Sequence, residues 1–331
     1  MMPIKKLAIL GAAHGHISYV TDALATRSDV ELVALADHDE ARRASYGGKL
    51  GVPGYADMTS LLERHDVDAA AVIAEPGLRA GLIEACLERG LVVIADKPLA
   101  LTVEEVDRIA KADNGRNRVA LMLEKRFYPV TRKARELFLG GEIGDLVAIT
   151  STGPHKLLPS ARPAWFFDPA LYGSIVNDLA VHDIDLVLWL TGARSGRVSG
   201  WKSPDHPKQY AGFALAGRAL LTLETGLQAV IDMDWRQPEA AARHGDYAMR
   251  LVGTRGRMDI LFGEGRLLVE TDNRSLWEPD LPAAIGPADD ALDALTGKAP
   301  LQVSTAEALL ASRIAALAAA SAEEGGHDYR W

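Results

Sequence analysis

The chain has 331 residues, which is long for one hydrophobic core and sufficient for two domains. Its net charge of −9, with no basic stripe, argues against nucleic acid as a partner. Mean hydropathy is +0.00, and because no apolar run approaches about 18 residues we expect no membrane span. The single cysteine, Cys86, excludes an internal disulfide and a cysteine-based zinc site, and together these features favour a cytoplasmic protein.

The first 123 residues alternate short apolar runs with amphipathic ones. Apolar strands separated by helices predict a parallel sheet that is covered on both faces. Thr102 and Glu105 have capping-box spacing, which predicts a helix beginning soon after Lys97-Pro98-Leu99. The predicted strands are KLAIL (6–10), ELVALA (31–36), DAAAVIA (68–74), LVVIAD (91–96) and RVALML (118–123). The predicted helices are the segment from His16, EARRASYGGKL (40–50), GLRAGLIEACLERG (77–90) and TVEEVDRIAKAD (102–113).

After a predicted helix near Tyr128–Leu139, strand-like segments follow one another with short turns. They predict an antiparallel sheet of at least five strands, covered on one face by a helix at Ser174–Thr191. Two final helices are predicted at about Gly286–Thr296 and Ser304–Glu323. The strand-like segments are GDLVAITST (144–152), QYAGFALAG (209–217), RALLTLETG (218–226), LQAVIDMDW (227–235), YAMRLVGT (247–254) and GRLLVET (265–271).

These elements predict a two-domain chain. Residues 1–123 form an α/β domain with a doubly wound parallel sheet. Residues 124–331 form an α+β domain with an open antiparallel sheet, and the last helix is free to pack back on the first domain. The apolar residues on both faces of RALLTLETG and LQAVIDMDW predict that the open face of this sheet is buried as well.

The first strand leads into Gly11-Ala12-Ala13-His14-Gly15-His16, a partial dinucleotide fingerprint. Gly11 suits the tight turn and Ala13 is a small substitute, whereas His16 departs from the usual glycine or alanine. Asp37, at the end of the second strand, suits the ribose hydroxyls of NAD and would repel the 2′-phosphate of NADP. His38 leaves NADP open, because a cationic imidazole tolerates phosphate. The alternative role for Asp37 is a helix N-cap, which Asp39 could serve instead.

Two further features carry chemistry. Lys97 follows the strand LVVIA, at the end where open α/β sheets place their ligands. The apolar helix 173–192 is interrupted by Asp178, His182 and Asp185, which fall within about 60° of one another at about 100° per residue. Ionisable groups in such a helix need partners or a polar cavity. The pattern therefore indicates either an acid–base site or a buried Asp/His pair that holds two layers together.

Together these features resemble the Gfo/Idh/MocA family, the group of glucose–fructose oxidoreductase, inositol dehydrogenase and rhizopine-catabolism proteins. The resemblance covers essentially the whole chain and includes RFYP at Arg126–Pro129, GEIGDL at Gly141–Leu146 and LVGTRGRM at Leu251–Met258. It implies a Rossmann domain and an NAD-dependent dehydrogenase, with NADP possible, acting on a sugar or polyol. The chain departs from the family pattern in four places: Asp96 replaces the usual glutamate, Glu75-Pro76-Gly77 replaces Thr-Pro-Asn, Arg79 stands near a usual histidine, and His14 and His16 lie in the glycine turn.

The resemblance also implies roles for individual residues. His182 is the first choice as general base, and Lys97 is expected to hydrogen-bond the reacting oxygen. Asp178 is expected to orient a substrate hydroxyl or to stabilise the imidazolium. The roles of Lys97 and His182 are exchangeable. The expected cofactor-binding residues are Gly11, Ala13, His14, His16, Asp37, His38, Pro76, Asp96 and Lys97. The expected substrate-binding residues are Lys97, His155, Trp165, Asp178 and His182. The loop 153–172, which also holds Lys156 and Arg162, is expected to select the substrate. For Trp165 a position in the hydrophobic core is equally open.

Three other functions stay open at this point. Asp178, His182 and His155 could ligate a divalent ion in a metal-dependent lyase or hydrolase, whereas a dehydrogenase needs no metal. The chain could be a non-catalytic NAD-binding sensor, or an enzyme that recycles a tightly bound NAD in a redox-neutral reaction. Pairing of the open sheet faces is implied by the resemblance and predicts homodimers or homotetramers.

Overall fold

The computed structural model describes residues 4–331, which divide into two compact units. The first comprises the chain up to residue 123 together with 286–310, and the second comprises 124–285 together with 311–331. Each unit is built around one sheet.

The sheet of the first unit has six strands, all parallel, in the order β3-β2-β1-β4-β5-β6. This is the predicted doubly wound sheet, with one additional two-residue strand at its edge. The strands are β1 (Lys5–Leu10), β2 (Val30–Ala36), β3 (Gly54–Tyr55), β4 (Ala69–Val72), β5 (Val92–Ala95) and β6 (Val119–Leu121). The helices are α1 (Ile17–Ala25), α2 (Glu40–Leu50), α3 (Met58–Leu62), α4 (Pro76–Glu88), α5 (Val103–Asp113) and α9 (Asp289–Leu295).

Local signals in the sequence explain where these helices begin and end. The Thr102 and Glu105 side chains form the predicted capping box of α5. Asp39 caps α2 by accepting a bond from the Arg42 amide, and Gly51 ends the same helix in the left-handed conformation. Helix α9 contributes Ala291 and Leu292 to the core that covers β1, so the distant segment 286–310 completes this unit.

The second unit holds a nine-stranded sheet in the order β14-β13-β12-β11-β7-β10-β9-β8-β15. It is mixed and mostly antiparallel, because β7 and β10 run parallel, which the prediction of a purely antiparallel sheet missed. The strands are β7 (Leu146–Pro154), β8 (Gly196–Lys202), β9 (Ala216–Leu223), β10 (Gln228–Asp234), β11 (Ala248–Gly253), β12 (Gly256–Leu261), β13 (Arg266–Thr271), β14 (Arg274–Trp277) and β15 (Tyr329–Arg330). The helices are α6 (Pro129–Leu139), α7 (Pro169–Tyr172), α8 (Val181–Thr191) and α10 (Thr305–Glu323), of which α10 begins in the first unit.

One predicted strand is wrong. Most of QYAGFALAG forms turns, with Gly212 at a φ of 84°, and only its last two residues enter β9. On β9 and β10 burial alternates along the strand, so one face is covered. The other face is only partly apolar: Leu220 and Val230 lie beside an ion pair between Arg218 and Asp232 (Nε–Oδ1 2.6 Å).

Helix α10 is, among the described residues, the one helix that is long and apolar enough to span a membrane by length and composition. In the structure, 56% of that apolar window is buried inside the protein, which is typical of a core helix. Gly200 of β8 allows its close approach, because a Cβ there would lie 1.9 Å from the Ala318 carbonyl oxygen. Ser321 then accepts a bond from the Gly200 amide (2.8 Å).

Candidate active site

The glycine turn of the first unit lies tightly against the end of β4. Gly11 has a φ of 82°, and a Cβ at this position would lie 2.5 Å from the Ala74 Cα. No side chain fits there, so the turn requires glycine for both its conformation and its packing. The Ala13 amide donates to the Ile73 carbonyl (3.1 Å), which fixes the turn immediately before α1.

A cavity of about 370 Å³ lies beside this turn, at the carboxyl ends of β1 and β2. Asp37 and His38 form a polar part of its wall, and Met58, Leu78 and Leu82 form an apolar part. A wall of this kind suits a flat apolar ring that carries a hydroxylated sugar. The turn and the cavity together fit the adenosine half of a dinucleotide.

The carboxylate of Asp37 is fully buried and already accepts four hydrogen bonds. Its donors are the amides of Ala12 (2.7 Å) and Asp39 (2.8 Å) and the Nε and Nη2 atoms of Arg42 (3.1 and 3.0 Å). The helix cap of α2 is Asp39, so the alternative role considered for Asp37 is wrong. Asp37 instead fixes the glycine turn against Arg42.

Arg42 also binds Glu75, with Nη2 2.7 Å from Oε1. Glu75 precedes Pro76, the first residue of α4, and is itself buried. One guanidinium therefore lies between two carboxylates next to the adenosine cavity. The sequence drew attention to Glu75 only as a departure from the family pattern and gave no sign of Arg42.

Asp96, at the end of β5, is the centre of a second buried network. Its Oδ1 lies 2.7 Å from His16 Nδ1 and accepts the Lys97 amide (2.8 Å), and its Oδ2 lies 3.0 Å from Arg79 Nη2 and 3.3 Å from His14 Nδ1. Burial by itself would raise the pKa of Asp96, but His16, Arg79 and His14 lower it well below its usual range. The carboxylate is thus held ionised.

Within residues 4–331, His14, His16 and Asp96 are the group whose ligand atoms lie close enough together to share a metal ion. One observation speaks against that use: the guanidinium of Arg79 occupies one side of the Asp96 carboxylate. Burial, followed by the charge of His16, lowers the pKa of His14 to about 4, so this imidazole is neutral near pH 7. The network is better described as a hydrogen-bonded support. Asp178, His182 and His155, the metal set considered from the sequence, do not form such a group.

Lys97 is buried and directly follows Asp96. The Nη1 of Arg79 donates to the carbonyl oxygens of Asp96 (3.2 Å) and Pro98 (2.7 Å), one residue to either side of the lysine. Arg79 is itself 1% exposed. A buried cation therefore holds the main chain that carries Lys97.

In the second unit, Asp178 lies in a π-helical turn, Val176–Ala180, that leads directly into α8. Such turns are rare and are frequent at functional sites. The Tyr172 hydroxyl donates to Asp178 Oδ2 (3.1 Å). Burial, followed by the charge of Asp178, raises the pKa of Tyr172 well above its usual value, so the phenol stays a donor.

His182 is buried on the first turn of α8, with Nε2 3.3 Å from Glu124 Oε1. Glu124 belongs to a short 3₁₀ segment, Glu124–Phe127, and was not singled out from the sequence. An imidazole beside a carboxylate is a common arrangement for a general base. The geometry therefore allows His182 to accept a proton and to keep the resulting charge stabilised.

Asp185 does not share this site, although the sequence placed it on the same face. It forms a buried two-pronged ion pair with Arg126 (Nε–Oδ2 and Nη2–Oδ1, both 2.6 Å). The single Nζ of Lys125 donates to both carboxylate oxygens of Asp183 (2.8 Å to Oδ1 and 3.0 Å to Oδ2). These two pairs fasten the 3₁₀ segment to α8 and have a structural role.

The loop 153–172 brings aromatic and basic groups together. The His155 ring lies 4.5 Å from Tyr247 and 5.4 Å from Trp235, centroid to centroid. Trp165 contacts Phe166 (5.8 Å), and its indole nitrogen is buried without a hydrogen-bond partner among residues 4–331. Arg162 lies over the Phe166 ring (4.4 Å). The loop therefore combines flat apolar surfaces with cations.

Comparison with known proteins gives matches to both units. Residues 5–124 match an oxidoreductase family with an NAD-binding Rossmann fold, and residues 131–259 match the GFO/IDH/MocA C-terminal domain. Inositol 2-dehydrogenase 1 of Saccharopolyspora erythraea is 29% identical over 257 residues, which are 76% of this chain and 71% of that enzyme.

Solved structures match along almost the whole chain. A Thermotoga maritima protein has a TM-score of 0.90 and 23% identity, over 98% of this chain and 100% of that one. An inositol dehydrogenase homologue from Azotobacter vinelandii, solved with NAD⁺, has a TM-score of 0.82 and 21% identity, over 100% and 98% of the two chains. At these identities the likeness is one of fold.

Proposed function

We propose that this chain, which belongs to the Gfo/Idh/MocA family of oxidoreductases, transfers hydride between NAD and a secondary alcohol. The alcohol is that of a sugar, a sugar derivative or a cyclitol. The chain is an enzyme with an NAD-binding domain, and NADP is the alternative cofactor. The observation that supports the alcohol chemistry is the pair Asp178 and His182, both buried at the junction of the π-helical turn and α8, with Tyr172 and Glu124 beside them.

The oxidation removes a hydride, which is one hydrogen with two electrons, from the carbinol carbon. It also removes a proton from the hydroxyl group on that carbon. Bound NAD supplies the hydride acceptor at C4 of the nicotinamide. In this proposal His182 accepts the hydroxyl proton, because an imidazole titrates near neutral pH. Lys97 donates to the reacting oxygen and stabilises its developing negative charge. Asp178, held by Tyr172, orients the substrate hydroxyl.

The test is a screen of polyols, aldoses and their acids for NAD reduction, followed by nicotinamide absorbance. His182→Ala is compared with His206→Ala, which changes an exposed histidine of the same unit. We expect turnover by the wild type and by His206→Ala, and a loss of at least about 10²-fold in the folded His182→Ala variant. Turnover that is lost on chelation without absorbance change contradicts the proposal and favours a metal-dependent lyase or hydrolase.

Two further outcomes would point to the other functions considered. NAD that survives gel filtration, with turnover but no net reduction, indicates a redox-neutral enzyme. NAD binding without turnover of any tested substrate indicates a sensor. Neither is favoured by a specific contact in the structure.

We also propose a cytoplasmic homodimer or homotetramer formed through the open face of the nine-stranded sheet. Leu220 and Val230 on that face supply apolar area, and the Arg218–Asp232 pair adds polar specificity. Light scattering at micromolar concentration tests the assembly, and a monomer contradicts it. Leu220→Glu is expected to weaken the assembly more than the same change at Leu276, which is 53% exposed on β14.

A further inference from the structure

Arg162 is a partly buried cation whose two hydrogen bonds lead to main-chain oxygens. Its Nε donates to the Leu157 carbonyl (3.0 Å) and its Nη2 donates to the Lys156 carbonyl (3.4 Å). Its guanidinium carbon lies 4.4 Å from the Phe166 ring centre and 5.2 Å from that of Trp235. These contacts hold the guanidinium plane in one place and leave Nη1 without a hydrogen-bond partner among the described residues.

Lys156, on the same loop, is also a partly buried cation that is hydrogen-bonded to a main-chain oxygen. Its Nζ donates to the main-chain oxygen of Ala241. No carboxylate in residues 4–331 lies within 4.0 Å of the charged nitrogens of Lys156 or Arg162. Some cations elsewhere in this unit have such partners, for example Arg250 with Asp259 (2.5 Å) and Arg266 with Glu278 (2.6 Å). Lys156 and Arg162 are held by main-chain oxygens instead, and they lie together on one loop.

The guanidinium is close to the acid–base residues of the same unit. The Phe166 ring that Arg162 covers lies 4.5 Å from the Tyr172 ring, and the Tyr172 hydroxyl binds Asp178. Burial lowers the pKa of Arg162, while the neighbouring charge of Asp178 and the Tyr172 phenol oppose that shift. Arginine stays protonated in proteins, so a fixed positive charge lies close enough to Asp178 to interact with it electrostatically, at more than ion-pair distance.

A partly buried charge is costly unless an anion or several hydrogen bonds compensate it. The planar fork of a guanidinium matches a carboxylate, which it binds through two parallel hydrogen bonds. A phosphate dianion would bring twice the charge next to the carboxylate of Asp178 and is therefore disfavoured. The aromatic rings under Arg162 suit the carbon–hydrogen face of a hydroxylated chain or ring.

We propose that the substrate is a polyhydroxy acid, such as an aldonate or a uronate, whose carboxylate binds Arg162. The reacting hydroxyl of that acid lies at Asp178 and His182. Lys156 contributes longer-range attraction for the anion. This inference rests on the proposed function, because it names the class of alcohol that the dehydrogenase oxidises.

The test uses calorimetric binding to the protein loaded with NADH and compares matched pairs: D-gluconate with D-glucitol, and D-glucuronate with D-glucose. Aldonates and uronates of other stereochemistry are screened with their neutral counterparts in the same way. For the pair that fits best, we expect the acid to bind at least about 10-fold more tightly than the neutral compound. Arg162→Met, which keeps much of the side-chain volume, is expected to remove that difference, because it weakens the binding of the acid at least about 10-fold more than the binding of the neutral polyol.

Arg236→Met is the matched control, because Arg236 is exposed, lies near the same loop and pairs with Asp205. Arg162→Lys keeps the charge and serves if Arg162→Met does not fold; it is expected to retain part of the preference. Tighter binding of neutral polyols by the wild type, or an equal loss for both members of a pair in Arg162→Met, overturns the inference. Sugar phosphates that outcompete the carboxylates overturn it too and indicate a phosphate site.

Failure of this inference and failure of the proposed function give different results. NAD reduction with neutral polyols alone supports the proposed dehydrogenase function and contradicts the proposal of an acid substrate. Acid binding that depends on Arg162, without any NAD reduction, supports the carboxylate site and contradicts the proposed dehydrogenase function.

Discussion

Arg79 and Asp96 form a buried ion pair, with Nη2 3.0 Å from Oδ2, at the carboxyl end of β5. Their pairing joins departures from the family pattern that the sequence showed separately. The arginine near the usual histidine and the two histidines of the glycine turn all contact the aspartate that stands in place of glutamate. These departures therefore form one buried network around the Asp96 carboxylate.

Removal of Arg79 is expected to be strongly destabilising. Arg79→Met leaves Asp96 as a buried charge that has lost its permanent cation, which typically costs about 3–5 kcal/mol. Arg108→Met is the matched control, because Arg108 pairs with Glu84 at the surface (2.9 Å, Arg108 52% exposed), and we expect a cost below about 1 kcal/mol. Urea denaturation measures both. Equal effects of the two substitutions would show that the buried pair contributes no more than a surface pair.

The low pKa of His14 predicts a dependence of stability on pH. Burial and the charge of His16 lower this pKa to about 4, against about 6.5 in the unfolded chain, so between these values the unfolded state binds more protons. Stability is therefore lost as pH falls from 6.5 towards 4, and this group makes the protein about 2 kcal/mol less stable at pH 5 than at pH 7. His14→Gln should show a smaller difference between urea midpoints at the two pH values. Parallel losses in the two proteins would contradict this assignment.

Cofactor preference is predicted to depend on Glu75 as well as on Asp37. Glu75→Gln removes one of the two carboxylates beside Arg42, so the repulsion of a 2′-phosphate falls and the preference for NADH over NADPH narrows by about 10-fold. Asp37→Ala is expected to weaken NADH binding more, because Asp37 also holds the Ala12 amide of the turn. Fluorescence titration with both cofactors measures the ratio, with Glu84→Gln as the control on the same helix. A wild type that prefers NADPH would refute the NAD assignment.

The proposed catalytic roles predict different kinetic losses. Lys97→Ala is expected to lower kcat by at least about 10²-fold, in the range of general acid–base contributions. It is also expected to weaken NAD binding, whereas His182→Ala leaves that affinity nearly unchanged. Asp178→Asn keeps the shape and the bond to Tyr172 and should raise KM or lower kcat. Steady-state kinetics and NAD titration, with circular dichroism as a check of folding, separate these cases. A folded His182→Ala variant with wild-type turnover would show that the helix has only a structural role.

Much of the first unit was predictable because its strands are continuous apolar runs bounded by turns and caps. The second sheet was harder to predict from the sequence. Strands β8, β12 and β14 were missed because they mix polar and apolar residues, as in Arg274–Trp277 at the sheet edge. The apolar run QYAGFALAG was misleading, since hydrophobicity alone does not distinguish a strand from a packed turn.

The candidate site shows the same limit. Asp178, His182 and Lys97 stand out because charged residues interrupt apolar patterns or follow a strand end. Asp185 was grouped with them because helical spacing gives the angle between side chains but not their partners, and its partner Arg126 lies on the 3₁₀ segment 59 residues earlier in the chain. Partners distant in sequence, such as His16 with Asp96 and Arg42 with Glu75, are brought together by the fold and leave no local signal.

The last strand has a consequence for how the protein is handled. β15 pairs with β8 through Tyr329 and Arg330 and so covers the backbone groups at that edge of the nine-stranded sheet. A chain cut before Tyr329 would leave backbone N–H and C=O groups of β8 unpaired, and a strand of another molecule could then pair with them. Fusion partners placed after Trp331 with a short, stiff linker would pull on the same two-residue pairing. Affinity tags are therefore better placed at the amino terminus, and carboxy-terminal proteolysis during purification is expected to appear as aggregation rather than as lost turnover.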